Sequence, residues 1–323
     1  MSALPIGGKP EPSYTVGWRS NCTVHPHEPP RPTLVTRGSC RNFAADRLEK
    51  SQLSPVERCL KHPPLPGLNK PDKVDLEIIE VKKVGNNQNP QVVVVEALGH
   101  IQGLEKRERA VAKFYDLLYF DDDEGFLNPF ACVDRHYTHE SAAYITLAHL
   151  MGKKIPKFYG SFSVSIRADE SRTRTVRLIL LEYIPGKTML AADPQDYDQL
   201  SRQALLKSAI DFESLVYERD VLLTDFTLRN IILVDSASCS GKPGLVFLDF
   251  GGALFGRTRD DVVAVAYRAS LFLGTYISPL LRWAKLPSDF EQWVDWDWQA
   301  WLEQNYGHTK ETITEKMQEV FSK

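Results

Sequence analysis

Runs of β-branched and aromatic residues, separated by turn-forming residues, predict a series of strands between residue 74 and residue 186. The runs "VDLEIIEVKKV" and "QVVVVEAL" are joined by "GNNQNP", whose Gly and Asn residues favour a turn, so they predict a hairpin. The segments "RAVAKFYDLLYF", "IPKFYGSFSVSI" and "TVRLILLEYIPG" contain similar runs and predict further strands. This part of the chain is therefore expected to form a sheet.

Two segments have apolar residues at helical spacing. One is "HYTHESAAYITLAHLM", and the other is the longer "DYDQLSRQALLKSAIDFESLVYERDV", whose apolar residues predict one face buried in a core. The apolar stripes consist of Ala143, Leu147 and Leu150 in the first segment and of Leu205, Ala209, Phe212 and Val216 in the second.

A second hairpin is predicted by "NIILV" and "GLVFLDF", which flank the Ser-, Gly- and Pro-containing segment "DSASCSGKPG". Asp225 lies five positions before Asn230 at the start of the first run, and Asp249 follows the second run. Each Asp alone is as readily explained as a turn or cap residue. Together the three side chains offer the oxygen ligands and the carboxylate that phosphoryl transfer with Mg²⁺ requires.

The spacing Asp225-x4-Asn230, followed by Asp-Phe-Gly at Asp249, resembles the catalytic loop and metal-binding motif of the protein kinase superfamily. The resemblance implies an α+β, bilobal protein kinase-like fold with an antiparallel-sheet N-lobe of five strands and a mostly helical C-lobe. It also implies that ATP and Mg²⁺ are cofactors. Asp225 would position or deprotonate the acceptor hydroxyl, and Asn230 and Asp249 would bind the metal.

The same resemblance extends to the predicted sheet. Lys113, in the setting "AVAK", would orient the phosphates, and Glu140 on the following helix would hold Lys113 as an ion pair. The alternatives are an exposed strand lysine and a solvated helix position. The first hairpin contains only Gly85 where the family has a glycine-rich phosphate loop, and backbone groups of Glu182 and Ile184 would bind adenine.

Two departures from regulated protein kinases bear on the acceptor. Leu223 and Thr224 precede Asp225 where those kinases commonly have His and Arg. The segment after Asp249 has no Ala-Pro-Glu motif and passes directly into a helical pattern, which Asp260 and Asp261 are predicted to begin. The chain therefore looks more like aminoglycoside- and choline-kinase-type phosphotransferases or lipopolysaccharide-kinase-like proteins, which favours a small-molecule acceptor slightly over a protein.

The chain is expected to have three parts. Residues 1–72 contain more than half of the 20 prolines and show little periodicity, which predicts an extended or partly disordered arm. Residues 73–184 are assigned to the kinase-like N-lobe and residues 185–323 to the helical C-lobe. Four tryptophans near the C-terminus lie at helical spacing and predict core packing, with a wall for a cationic or aromatic substrate as the less favoured alternative.

Composition limits the expected cellular location and the expected classes of binding partner. A net charge of -3 gives no basic field, so nucleic acid is not expected as a partner, and no apolar run is long enough to span a membrane. The N-terminus lacks the features of a secretory signal, which predicts a cytoplasmic protein. The 5 cysteines are odd in number and scattered, which favours reduced thiols, and neither the Cys/His nor the Asp-rich segments have the spacing of a zinc or calcium site.

Two functional hypotheses follow. The first is an ATP-dependent kinase that transfers a phosphoryl group to a hydroxyl acceptor. The second is a pseudokinase that acts as a nucleotide-binding or scaffold module without turnover. Gly85 standing alone in its turn favours the pseudokinase, whereas the presence of both predicted metal ligands beside Asp225 favours the enzyme.

Overall fold

The structure is a computed structural model of the 323-residue chain. It describes residues 9–20, 24–35, 39–121, 126–169, 171–234, 244–255, 272 and 274–321. Contacts along the chain divide it into two compact units. The first unit comprises Met1–Leu34, Gly38–Ala142 and Lys157–Tyr183, and the second comprises Val35–Arg37, Ala143–Pro156 and Ile184–Lys323.

The first unit is built on an antiparallel sheet with the strand order β2-β1-β6-β7-β5-β4-β3. The predicted first hairpin and the three predicted strands that follow it are confirmed as β3 to β7. The strands are β1 (Val24–Glu28), β2 (Leu68–Asn69), β3 (Leu76–Lys83), β4 (Gln91–Ala97), β5 (Arg109–Tyr115), β6 (Phe158–Arg167) and β7 (Thr173–Glu182).

The sheet has seven strands within the described residues, two more than the five expected. The additional strands come from the segment expected to be an extended arm, which also contains the helices α1 (Ala44–Gln52) and α2 (Pro55–Lys61). Val24 is buried and pairs with Val164 of β6. The sequence pattern did not predict this strand because it contains Pro26. Proline cannot donate a ladder hydrogen bond and is tolerated mainly in short or edge strands.

The helix α3 (Pro129–Thr146) begins seven residues before "HYTHE" and ends at Thr146, so the predicted helical segment is confirmed only as far as that residue. Leu147 and Leu150 of the predicted stripe lie beyond α3, and Leu150 belongs to a short 3-10 helix. The division between the two units falls within it, between Ala142 and Ala143. A buried hydrogen bond fixes the N-terminal segment to the rest of the first unit, since the Tyr14 hydroxyl donates to Asp116 at 2.5 Å. The N-terminal segment is thereby part of the packed first unit.

The second unit contains the predicted second hairpin and the predicted long helix. The hairpin pairs β9 with β10, with Ile231 opposite Phe247, and β8 lies on the other side of β9. The elements are β8 (Lys187–Thr188), α4 (Gln199–Glu218), β9 (Ile231–Val234), β10 (Gly244–Phe247), α5 (Pro279–Arg282), α6 (Trp298–Tyr306) and α7 (Glu315–Phe321).

The apolar face of α4 packs against this hairpin. All four residues of its predicted stripe are buried, and the Phe212 ring stacks on Phe247 with a centroid separation of 3.8 Å. Of the four tryptophans predicted to belong to the core, Trp293, Trp298 and Trp301 are buried, and Trp298 stacks on Trp301. The prediction is therefore confirmed for these three, whereas Trp296 is half-buried. Among the described residues, no helix is both long and apolar enough to cross a membrane.

Candidate functional site

The predicted ion pair between Lys113 and Glu140 is present in the first unit. Lys113 lies on β5, paired with Val92 and Ile179, and its Nζ is 2.6 Å from Oε1 and 2.9 Å from Oε2 of Glu140. Both side chains are buried, and the hydroxyl of Tyr115 donates a further hydrogen bond to Glu140.

The Lys113–Glu140 pair is buried, which limits how much it can stabilise the fold. Removing two charges from water is costly, and their mutual attraction seldom repays that cost fully, so a buried ion pair is weak evidence for stability. Lys113 is 7 % exposed and Glu140 is fully buried. Stability alone is therefore a weak explanation for this pair.

Asp225 and Asn230 are held together by the turn before β9. The amide Nδ2 of Asn230 donates to the carbonyl oxygen and to Oδ2 of Asp225, at 3.1 Å each. The backbone of Asn230 accepts from Leu248 N at 2.8 Å, which fixes the turn to the end of β10. Because the amide nitrogen is directed at Asp225, the amide oxygen is the Asn230 side-chain atom suited to bind a cation.

Arg229 belongs to the same cluster and was not singled out in the sequence. Its Nη2 lies 2.7 Å from each carboxylate oxygen of Asp225. The hydrogen bond and the charge of Asp225, followed by the charges of Asp249 and Asp289, raise the pKa of Arg229. Asp225 lies outside any helix, so its i,i+4 spacing from Arg229 is not a sequence signal for this contact.

Asp249 follows β10 in a left-handed backbone conformation, with φ of 64°. This region is disfavoured for residues other than Gly, and strain of this kind tends to occur at functional sites. The following Phe250 is buried, and its ring packs edge-on against Tyr144 at a centroid separation of 5.2 Å. Phe250 therefore anchors the segment that follows Asp249.

The segments that carry Asp225 and Asp249 are fixed to each other. Leu222 and Leu254 exchange backbone hydrogen bonds of 3.1 and 2.9 Å, and Thr224 Oγ1 donates to the Gly252 carbonyl at 2.7 Å. A Cβ atom at Gly252 would lie 2.7 Å from Thr224 Oγ1, so the contact requires glycine. Thr224, which departs from the kinase pattern, thus has a structural role.

Asp225, Asn230 and Asp249 line one cavity in the second unit. Its volume of ≈ 10 Å³ is close to the minimum for one water-sized species. Within the described residues, no group of three or more His, Cys, Asp and Glu side chains is arranged to hold a metal ion. The cavity therefore offers two carboxylates and one amide rather than a complete metal cage.

A larger cavity of ≈ 490 Å³ in the same unit shares Arg229 with this cluster. Its lining combines an exposed apolar side chain, Leu190, with polar and acidic groups. The other lining residues are Thr227, Leu228, Ser288, Asp289, Glu291 and Gln292.

The turn between β3 and β4 is closed by its own side chains. The amide of Gly85 donates to Gln91 Oε1 at 2.8 Å, and Gln91 Nε2 donates back to the Gly85 carbonyl at 3.0 Å. Gln91 is fully buried. Since its amide hydrogen is already used, Gly85 cannot donate to a phosphate unless this contact opens.

Glu182 and Ile184 lie at and after the end of β7. The Glu182 amide donates to Lys157 O at 2.9 Å, and the Lys157 amide donates to Glu182 Oε2 at 3.0 Å. Only the carbonyl of Glu182 is therefore suited to bind adenine. Ile184 is half-buried and belongs to the second unit.

The structure thus brings the predicted residues together in two groups, each within one unit. Lys113 contacts Glu140 in the first unit, whereas Asp225, Asn230 and Asp249 share a cavity in the second. The predicted helix start at Asp260 and Asp261 lies outside the described residues. Comparison of the chain with protein-family models and with curated proteins finds no match.

Proposed function

We propose that the protein is an ATP-dependent phosphotransferase that transfers a phosphoryl group to a hydroxyl acceptor. The observation that carries this proposal is the convergence of Asp225, Asn230 and Asp249 on one cavity. The bilobal, protein kinase-like arrangement implied by the sequence motifs is part of the same proposal. The buried Lys113–Glu140 pair supports it independently.

The residues around the cavity suit Mg²⁺. This ion prefers oxygen ligands, keeps several water molecules, and is commonly held by one or two carboxylates together with substrate phosphates. Asn230 Oδ1 and the Asp249 carboxylate are the proposed protein ligands, so a cluster of three acidic residues is not required. Mg²⁺ would neutralise charge that develops on the phosphates.

The nucleotide would be bound by groups from the sheet. Lys113 would contact the phosphates as a point charge, with Glu140 and Tyr115 fixing its position. The carbonyl of Glu182 and the backbone of Ile184 are the proposed adenine contacts. Gly85 would contribute to phosphate binding only after Gln91 releases its amide.

Asp225 is the proposed group that positions or deprotonates the acceptor hydroxyl. Its carboxylate is already oriented by Arg229 and Asn230. It therefore loses little conformational freedom when the acceptor binds. The neighbouring cavity of ≈ 490 Å³ lies within the size range of small-molecule sites, about 300–1,000 Å³. This favours a small-molecule acceptor over a protein.

The pseudokinase alternative also has an observation in its favour. The Gly85 amide is bound to Gln91, which leaves the turn without a donor at the position where a phosphate loop would supply one. A pseudokinase transfers no phosphoryl group, so it does not need this donor to hold the phosphates in position for transfer. This alternative predicts binding of ATP without turnover for every acceptor.

The test is a comparison of binding and turnover in matched variants. ATP binding with and without Mg²⁺ is measured by isothermal titration calorimetry, and turnover is measured with a panel of hydroxyl-bearing small molecules and peptides. The variants are Asp249→Asn and Asp225→Asn. Asp169→Asn, which removes an exposed carboxylate paired with Arg172, is the control.

We expect Asp249→Asn to lose Mg²⁺-dependent binding, and Asp225→Asn to bind normally but to lose turnover by a factor of about 10²–10⁴. The control should behave as the wild type. Binding without turnover across the panel would support the pseudokinase. Absence of ATP binding to the wild type would overturn both hypotheses.

A further inference from the structure

Cys40 and Cys132 form a buried thiol pair in the first unit. The two residues are 6 % and 3 % exposed. The Cys132 thiol lies with its Sγ 3.9 Å from the Cys40 carbonyl oxygen, and the two side chains are close enough to affect each other's ionisation. Both are free thiols.

Backbone contacts hold this pair in place. The Asn128 amide donates to the Cys40 carbonyl at 2.8 Å, and the Cys132 amide donates to the Asn128 carbonyl at 3.0 Å. Asn42 N donates to Phe126 O at 2.8 Å, so the segment after Cys40 runs beside the segment that leads into α3. Asn128 thus connects both cysteines, and their proximity does not depend on a side-chain rotamer alone.

The two thiols differ in acidity. The hydrogen bond from Cys132 is the largest influence on Cys40 and lowers its pKa to about 7, with burial opposing this effect and the charge of Arg135 assisting it. The same hydrogen bond, together with burial, raises the pKa of Cys132. Cys40 is therefore the more readily ionised of the two thiols, and the thiolate is the form that reacts with an oxidant.

We propose that Cys40 and Cys132 are a redox modification site, at which a peroxide converts the two thiols into an intrachain disulfide. In the first step the Cys40 thiolate attacks the peroxide oxygen, giving a sulfenic acid and, from hydrogen peroxide, water after proton transfer. In the second step the Cys132 sulfur attacks the sulfenic sulfur and displaces a second water. Overall, two thiols and one hydrogen peroxide give one disulfide and two waters.

The disulfide would tie the loop at Cys40 to the first turn of α3, the helix that carries Glu140. It would also join residues that are far apart in the sequence, which restricts the unfolded chain strongly. Oxidation should therefore raise the midpoint of thermal unfolding by several degrees. This inference stands on the cysteine geometry and does not depend on phosphotransferase activity.

The experiment maps the oxidised cysteines directly. The full-length protein is treated with hydrogen peroxide, remaining thiols are blocked with iodoacetamide, and peptides are identified by mass spectrometry without reduction. Wild type, Cys40→Ser, Cys132→Ser and Cys59→Ser are compared. Cys59 is a matched control, since it is also buried but burial raises its pKa to about 12.

We expect a cross-linked peptide that joins Cys40 to Cys132, with a mass lower than the sum of its two parts by two hydrogens. The cross-link should persist in Cys59→Ser, disappear in the other two variants, and be removed by dithiothreitol. Unmodified thiols after treatment, oxidation of Cys40 to a sulfinic acid in the wild type, or cross-links to other cysteines would each overturn the proposal. The wild-type map gives this answer even if a serine variant fails to fold.

Discussion

Arg229 Nη2 lies 2.7 Å from both carboxylate oxygens of Asp225, four residues earlier in the chain. Asn230, the next residue in the turn, also donates a hydrogen bond to this carboxylate. The orientation of Asp225 is therefore set by two residues of its own segment. This arrangement makes Arg229 a positioning residue for the proposed reaction.

Substitution of Arg229 should lower turnover more than it lowers stability. In Arg229→Ala the Asp225 carboxylate loses its clamp, and misplacement of a reacting group by about 1 Å can cost about 10²-fold in rate. We expect kcat to fall by about tenfold to 100-fold with little change in KM for ATP. Arg229→Lys, which keeps the charge without the planar guanidinium, should fall between Ala and wild type.

The matched control for this prediction is Arg172→Ala. Arg172 also contacts an aspartate, Asp169, at 2.6 Å, and its side chain is similarly exposed. Exposed ion pairs contribute about 0–1 kcal/mol, so neither substitution should change the urea midpoint appreciably. Equal loss of turnover in both variants would show that Arg229 acts only through its charge or through stability.

The left-handed backbone at Asp249 predicts a separation of stability from function. Asp249→Gly should relieve strain and make the protein more stable than Asp249→Ala by about 1 kcal/mol, because Gly adopts positive φ at little cost. Both variants should lose Mg²⁺-dependent ATP binding. Stability is measured by urea unfolding and binding by calorimetry. Equal stability of the two variants would contradict the strain argument.

The hairpins and the long helix could be predicted because local pattern and burial agree there. The β9–β10 hairpin was recognisable from two apolar runs and the turn-forming residues between them. Likewise, the spacing of Leu205, Ala209, Phe212 and Val216 matched the buried face of α4. The ion pair of Lys113 with Glu140 was implied by the resemblance to the protein kinase superfamily, which places the two residues on a strand and on the next helix.

Other features depend on contacts between distant residues and could not be predicted. β1 contains Pro26 and becomes a strand only because β6 offers it an edge. The hydrogen bonds between Gly85 and Gln91 depend on how the turn folds back. The φ of Asp249 has no local sequence signal, since the turn that follows it is fixed by Phe250 and Leu254.

The Lys113–Glu140 pair should show strong coupling in a double-mutant cycle. Removing one partner leaves a buried charge unpaired, so Lys113→Met or Glu140→Gln alone should each lower the free energy of unfolding by about 3–5 kcal/mol. The double variant should be less destabilised than the sum of the single variants. Urea unfolding followed by circular dichroism measures all four forms.

The matched control for this cycle is the exposed pair Lys207 and Asp211 on α4, with Nζ and Oδ2 2.8 Å apart. Substitution of Lys207 by Met should change the free energy of unfolding by less than about 1 kcal/mol. Additive effects of the Lys113 and Glu140 substitutions would instead indicate that the two side chains are not coupled in solution.

The raised pKa of Asp134 on α3 predicts that the free energy of unfolding decreases as the pH rises from about 4 to about 6. Burial is the main cause that raises its pKa from the ordinary value of 3.8 to about 6, while the hydrogen bond from Leu65 N and the charge of Arg177 act in the opposite direction. Because the folded state binds this proton more tightly than the unfolded state, the contribution is complete below pH 4 and disappears above pH 6, with an upper limit of about 3 kcal/mol. Asp134→Asn keeps the acceptor for Leu65 but does not titrate, so urea unfolding at pH 4 and pH 7 should show a smaller difference for this variant than for wild type. An unchanged difference would show that folding does not raise the pKa of Asp134.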